Sequence, residues 1–140
     1  MTTEAPADPI VAEGMDRQAR LFAGAGAVNA ALAVALGAFG AHSLTDSLSP
    51  DRLDTFSTAA QYHFYHALGL FAVSFVGTQV RNQSLVRWSG RFMAGGIVLF
   101  SGSLYALALT GRSALGAITP LGGFCFLGAW GLLALALRRA

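Results

Sequence analysis

Four long apolar stretches, separated by short polar segments, dominate the hydrophobic pattern of this chain. They cover about residues 21–42, 61–80, 92–110 and 115–137. An α-helix needs roughly 20 apolar residues to cross a hydrocarbon core of about 30 Å, and each stretch approaches that length. The pattern therefore predicts an all-α integral membrane protein in which four transmembrane helices form a bundle.

Polar segments set the limits of this bundle. Residues 1–16 contain four acidic side chains and two prolines but few large apolar side chains, which predicts a disordered amino tail. Residues 17–140 are then expected to form a single four-span transmembrane domain, because no other segment is long enough to make a separate core.

The second span needs separate treatment, because its apolar run, 67–80, is too short to cross a bilayer. We therefore expect this membrane helix to begin near Gln61. Upstream, residues 49–52 read Ser-Pro-Asp-Arg, a sequence typical of a helix start. Leu53 and Phe56 follow at helical spacing with polar residues between them, which predicts a short interfacial helix before the second span.

The composition agrees with a membrane protein and excludes several other classes. Apolar residues make up 54% of the chain and charged residues only 11%. A soluble domain carries about a quarter charged residues. The net charge of +2 comes from arginines beside the spans, so it does not indicate nucleic-acid binding. Cys125 is the only cysteine, which excludes an intrachain disulfide and a paired-cysteine metal motif.

The distribution of arginines predicts the orientation of the bundle. With four spans, both termini and the second loop share one side of the membrane. That side holds Arg17, Arg20, Arg81, Arg87, Arg91, Arg138 and Arg139, against Arg52 and Arg112 on the other side. Because cytoplasmic segments carry the excess of basic residues, we expect both termini to be cytoplasmic, in the inner or plasma membrane of the cell.

This orientation brings imidazole and phenol side chains to the outer half of the predicted bundle. The members of this predicted outer-leaflet cluster are His42, His63, His66, Tyr62, Tyr105 and Thr119. Three histidines could hold a divalent metal, could titrate, or could only form interfacial hydrogen bonds. The chain contains no specific metal-binding motif such as His-Glu-x-x-His. The sequence therefore assigns no metal, no cofactor and no catalytic residue.

A second set of residues is predicted to pack or hydrogen-bond within the membrane. Its members are Asn29, Gly37, Ser101, Ser103, Gly122 and Gly123. Asn29 lies deep in the first span, where a buried amide needs a partner, so we expect it to bond to another helix. Ser101 is expected to donate to the carbonyl four residues earlier. The glycines let neighbouring helix backbones approach closely.

Several linked motifs resemble a known family. They include 37–42 (GAFGAH), 58–62 (TAAQY), 100–105 (FSGSLY) and 119–123 (TPLGG). Together, over about residues 21–137, they are similar to the domain-of-unknown-function 423 family, the transmembrane protein 256-like small membrane proteins. The resemblance implies a four-span membrane protein, with His42 and His66 on the family's motif histidines, and it implies no established activity or ligand.

These observations favour a structural role: an accessory subunit that packs in a larger membrane assembly or against a second copy of itself. Its partners would be the lipid bilayer and other membrane subunits, with no nucleic acid. The alternative is a small-molecule or metal-binding carrier or enzyme, with an outer-leaflet site that uses His42, His66 and Tyr105. The sequence by itself assigns no enzymatic activity.

Overall fold

A computed structural model describes residues 17–138, and within this range the chain is helical and contains no strand. The helices are α1 (Arg17–Ser43), α2 (Pro50–Gln79), α3 (Gln83–Gly96), α4 (Gly102–Thr110) and α5 (Thr119–Arg138). A π-helical turn, Ile97–Ser101, joins α3 to α4, and a 3₁₀ turn, Ser113–Ala117, precedes α5. The predicted amino tail, 1–16, lies outside the described residues, as does Arg139.

Three helical segments within 17–138 are long and apolar enough to cross a membrane. They are Arg17–Ser43, Gln83–Thr110 and Ser113–Arg138. The segment Gln83–Thr110 is one continuous helical rod made of α3, the π turn and α4. It begins nine residues before the third span predicted from the sequence, 92–110. The all-helical, apolar character predicted from the sequence is confirmed for the described residues.

The second helix differs from its prediction. It does not begin near Gln61 but at Pro50, which occupies the first helical position after Ser49. The residues predicted as a separate interfacial helix are therefore its first turns, and His63 lies near its middle. The difference arises because His63, His66 and Ser74 are buried against other helices, so they need not be apolar to lie within the bundle.

Helix α2 runs antiparallel to α1 along most of its length. At one end Gly40 lies against Phe56, so closely that a β-carbon on Gly40 would sit 2.8 Å from the ring. At the other end the Ser74 hydroxyl donates a 2.7 Å hydrogen bond to the carbonyl of Ala19. These contacts join both ends of the two helices, which fixes their relative register.

Two apolar clusters stabilise the bundle at different heights. The larger cluster combines α2, α3 and α5 and includes Leu70, Val73, Val76, Met93, Phe126 and Leu133. The smaller one consists of Leu44, Phe56 and Ala108 near the opposite end of α2. Along α2, the two buried histidines lie between the clusters. Along the α3–α4 rod, Ser101 and Ser103 occupy the same interval.

Backbone and side-chain hydrogen bonds cap the ends of α2 and α4. Gly111 ends α4 in the left-handed conformation (φ 72°), and its amide donates to the carbonyl of Leu107. The guanidinium Nε of Arg52, from the first turn of α2, donates a 2.6 Å bond to the carbonyl of Ala108. At the other end of α2, the side-chain amide nitrogen Nε2 of Gln83 donates to the carbonyls of both Gly77 and Val80. Backbone acceptors that the helices leave unpaired thereby gain partners.

Candidate functional site

His63 is the centre of a hydrogen-bonded chain that connects three helices. The Asn29 amide nitrogen donates to the carbonyl of Ala25 (2.8 Å), so its oxygen is the atom that faces His63 Nε2 at 3.0 Å. Nε2 must therefore carry the proton, which leaves Nδ1 to accept from the Tyr105 hydroxyl at 3.3 Å. One neutral tautomer satisfies every member of the chain, which spans α1, α2 and α4.

His66, one turn further along α2, faces a different helix. Its Nδ1 lies 2.7 Å from the carbonyl of Tyr62 and must donate to it, because a carbonyl only accepts. The ring stacks on Phe126 of α5, with centroids 3.3 Å apart and planes 10° apart. The ring of Tyr62 is nearly parallel to that of His66, with centroids 5.9 Å apart and planes 18° apart. Nε2 forms no hydrogen bond with any residue of 17–138, so in the neutral ring its lone pair is free to accept.

A cavity of about 440 Å³ adjoins His66, between α2, the π turn and α5. Most of its wall is aromatic or aliphatic. The lining residues are Tyr62, His66, Phe100, Pro120, Gly123, Phe124, Phe126, Leu127 and Trp130. His66, Tyr62 and Trp130 contribute polar side-chain groups to this mostly apolar wall, a combination typical of small-molecule sites.

The π turn supplies part of this wall and leaves one hydroxyl without a partner. Ser101 was predicted to donate to the carbonyl of Ile97, and that prediction is wrong. In the wider turn the Ile97 carbonyl accepts from the amide of Gly102 instead. The Ser101 hydroxyl is buried and has no partner within residues 17–138. Single π turns inside α-helices occur frequently at functional sites.

Ser103 and Thr119 form a separate polar contact beside this turn. The Ser103 hydroxyl donates to the carbonyl of Phe100 (3.0 Å), and its oxygen lies 2.8 Å from the Thr119 hydroxyl. Since the Ser103 proton goes to the carbonyl, Thr119 is the donor in the second bond. The contact ties α4 to the first turn of α5.

Four members of the predicted outer-leaflet cluster therefore form two separate pairs, each with one histidine and one tyrosine. Tyr105 joins His63, whereas Tyr62 joins His66, and His42 is exposed at the end of α1. Within 17–138 no group of three or more His, Cys, Asp or Glu side chains is placed to hold a metal. The two buried imidazoles face different helices, α1 and α4 for one and α5 for the other, so they do not converge on one point.

The predicted packing glycines have different surroundings. A β-carbon on Gly122 would overlap the backbone nitrogen of Phe100, so here two helix backbones touch. The contact at Gly37 is less close: a β-carbon on Gly37 would lie 3.8 Å from the β-carbon of Ala60. Gly123 lines the cavity beside His66, while Gly37 lines a larger one, of about 630 Å³, between α1 and α2. Among residues 17–138, no histidine lines that larger cavity.

Three interhelical contacts were missed by sequence reasoning. The Ser74 and Ser89 hydroxyls donate to the carbonyls of Ala19 and Ala129, and Arg52 donates to Ala108. Ser74 had a usable signal, since a hydroxyl inside an apolar run must find an acceptor, whereas Ser89 lies in the polar segment before the third run. Their partners lie 55 and 40 residues away in the chain, so no local pattern could identify them.

Comparisons with known proteins agree with the membrane assignment. The profile of a family described as "Protein of unknown function (DUF423)" matches residues 36–123. The UPF0382 membrane protein YwdK of Bacillus subtilis is 51% identical over 79% of this chain and 90% of its own length. The UPF0382 inner membrane protein YgdD of Escherichia coli K12 is 39% identical over 81% of this chain and 88% of its own length. No solved structure matches the chain.

Proposed function

Because the chain belongs to the DUF423 family, whose proteins are of unknown function, we propose its role from its own geometry. It is a membrane protein, and its finer architecture is a four-span bundle with both termini in the cytoplasm. Its function is that of an accessory subunit, which packs through α1 against a second copy or another membrane subunit. The three steps of this proposal rest on different observations.

The fourth crossing is α2. Contacts at Gly40–Phe56 and at Ala19–Ser74 place α2 beside α1 over most of the length of α1. A helix that accompanies a membrane-spanning neighbour from end to end also crosses the bilayer. Its first turns, before Phe56, then lie level with the end of α1, where an interfacial segment was predicted. His63, opposite Asn29 in the middle of α1, would lie near the middle of the membrane and not in the first turn of a span that begins near Gln61.

The orientation follows from the arginines. With four crossings, Arg81, Arg87 and Arg91 share the side of the two termini, and each is exposed. Arg52 lies at the opposite end, where it is bonded to the Ala108 carbonyl. The positive-inside rule then places both termini in the cytoplasm.

The observation that carries the assembly role is the outward face of α1. Gly24, Ala27, Ala31, Ala35 and Ala38 recur every three or four residues, and all are exposed. A β-carbon on Gly24 would meet nothing within 4 Å. In lipid, small side chains let helices approach closely, and they favour association when they form one continuous face. The bundle itself does not use this face, because α1 packs chiefly on α2.

Native mass spectrometry after extraction in a mild detergent tests the role. We expect the wild-type protein as a dimer or with a bound partner, and Ala31→Leu as monomer, because leucine separates the helix from its neighbour. Ala134→Leu is the matched control: Ala134 is exposed on α5, away from the α1 face, and should leave the assembly intact. A wild-type protein that is only monomeric, with no partner, would contradict the role.

A second candidate function has its own observation, the free Nε2 of His66 beside the 440 Å³ cavity. In this candidate the protein is a carrier or an enzyme that binds a small molecule, as in the alternative predicted from the sequence. Shared coordination of a metal by His42, His63 and His66 would require imidazoles that converge, and the two buried rings diverge. We therefore retain only the small-molecule form of this candidate.

A further inference from the structure

The cavity beside His66 has the features of a ligand site, and its chemistry identifies the class of ligand. His66 is only 7% exposed, and its one unpaired ring nitrogen belongs to a side chain that lines the cavity. Nδ1 is held by the Tyr62 carbonyl, so Nε2 is the acceptor of the neutral ring. Nε2 has no partner among residues 17–138 and lies in a mostly apolar wall, so a donor on a ligand in the cavity can bond to it.

The rest of the wall favours a flat ring. Tyr62 and Phe100 face each other at 4.7 Å between centroids, and Phe126 lies 5.5 Å from Phe100. Trp130 also lines the cavity, with its ring centroid 6.3 Å from that of His66. Aromatic side chains in such an arrangement bind another ring by stacking and edge contacts. No charged side chain of the part of the chain that the structure describes lines the cavity, so its wall does not favour a phosphate or a carboxylate.

The cavity opens towards the lipid. Phe124 and Leu127, on its rim, are 70% and 71% exposed, which on a membrane helix means contact with acyl chains. A ligand that enters by this route is dissolved in the bilayer and has an apolar tail that remains among the lipids. The volume, about 440 Å³, is within the range of about 300–1,000 Å³ that small-molecule pockets occupy.

We propose that this cavity binds a lipid-soluble aromatic alcohol, a phenol or hydroquinone with an apolar tail, whose ring hydroxyl donates to His66 Nε2. The proposal rests on the second candidate function and names its ligand class. Tyr62 and Trp130 also line the cavity, and their side chains carry an O–H and an N–H group that can bond a second ring oxygen. The oxidised quinone has only acceptors and cannot donate to Nε2, so the site prefers the reduced form.

Tryptophan fluorescence in lipid nanodiscs tests this proposal. Trp88 is exposed on α3, outside the cavity wall, so Trp88→Phe leaves Trp130 in the cavity as the only tryptophan. The probe is a benzohydroquinone with a ten-carbon tail, kept anaerobic. We expect saturable quenching in this background, and a dissociation constant raised about tenfold or more by His66→Phe, which keeps the ring on Phe126 but removes the acceptor.

Three comparisons make the test decisive. His42→Phe, at the exposed histidine, is the matched control and should bind as the background does. Gly123→Leu fills the cavity, and its β-carbon has room, since the nearest atom of Phe100 would be 4.0 Å away. It should abolish saturable quenching even if His66→Phe fails to fold. The dimethyl ether of the probe has no hydroxyl to donate and should bind the background and His66→Phe equally weakly.

Two results would overturn the inference in different ways. If the ether or the quinone binds the background as tightly as the hydroquinone, and Gly123→Leu blocks all three, the cavity is a site but the ligand class is wrong. If Gly123→Leu and the background respond alike to every probe, the cavity is not a site and the second candidate function fails with it. Neither result bears on the assembly role, which is measured by mass and not by ligand binding.

Discussion

At the scale of single residues, the donor and acceptor roles in the Asn29–His63–Tyr105 hydrogen-bonded chain follow from its geometry. Each atom has one role there: the amide oxygen accepts, Nε2 donates, Nδ1 accepts and the hydroxyl donates. Such chains are directional, so they fix the rotation of each helix about its own axis, which apolar packing specifies less strictly. The three residues belong to three helices and define how these meet.

Removal of the amide should destabilise the bundle measurably. Asn29→Ala leaves the Nε2 proton of His63 without an acceptor, and we expect the free energy of unfolding to fall by about 1–2 kcal/mol. Denaturation by SDS in mixed micelles measures it. Gln61→Ala, at an exposed amide on α2, is the control and should change stability by less than about 0.5 kcal/mol. The pair Asn29→Ala and His63→Ala should be non-additive; strict additivity would contradict a direct bond.

At the scale of elements, the closest approach of two backbones at a glycine of residues 17–138 is that of α5 to the π turn. Gly122 touches the Phe100 backbone, and this approach brings the first turns of α5 to the cavity wall. We expect Gly122→Ala to lower the melting temperature by several degrees, because one methyl group must separate two backbones and overpacking costs about 1–3 kcal/mol.

A second glycine on the same helix provides the control. A β-carbon on Gly131 would meet nothing within 4 Å, so Gly131→Ala should leave the melting temperature unchanged or raise it slightly. Circular dichroism at 222 nm in detergent follows both variants. An equal response of the two would show that the contact with Phe100 does not hold α5 in place.

The sequence predicted the elements better than their contacts. Apolar runs located α1, the α3–α4 rod and α5, because lipid-facing helices must be apolar. The same rule failed for the start of α2, since His63 and His66 are screened from lipid by neighbouring helices. The π turn has no compositional signal in 97–101, and it was missed. The stack of His66 on Phe126 joins residues far apart in the chain, which hydrophobic periodicity cannot reveal.

At the scale of the whole molecule, the orientation remains a prediction, and it has a direct test. A fluorescent protein fused after Ala140 should fluoresce, since it folds in the cytoplasm, whereas alkaline phosphatase at the same position should be inactive. Both results follow from the excess of arginines on the side of the termini.

An internal fusion provides the matching control. The same pair of reporters placed between α1 and α2, after Ser47, should give the opposite result, because a single crossing separates the two positions. An active phosphatase at the carboxyl end, or the same reporter active at both positions, would contradict the proposed arrangement of four crossings.

The Gln83 side chain, which bonds the carbonyls of Gly77 and Val80, has a consequence for biogenesis. It ties the last turn of α2 to the first turn of α3 across a three-residue gap. Helix α2 is the one long helix of 17–138 that does not qualify as a span by its own apolarity. We therefore expect it to enter the bilayer as a hairpin with α3. In a translocon assay with engineered glycosylation sites, α2 alone should fail to integrate, and the α2–α3 pair should integrate efficiently.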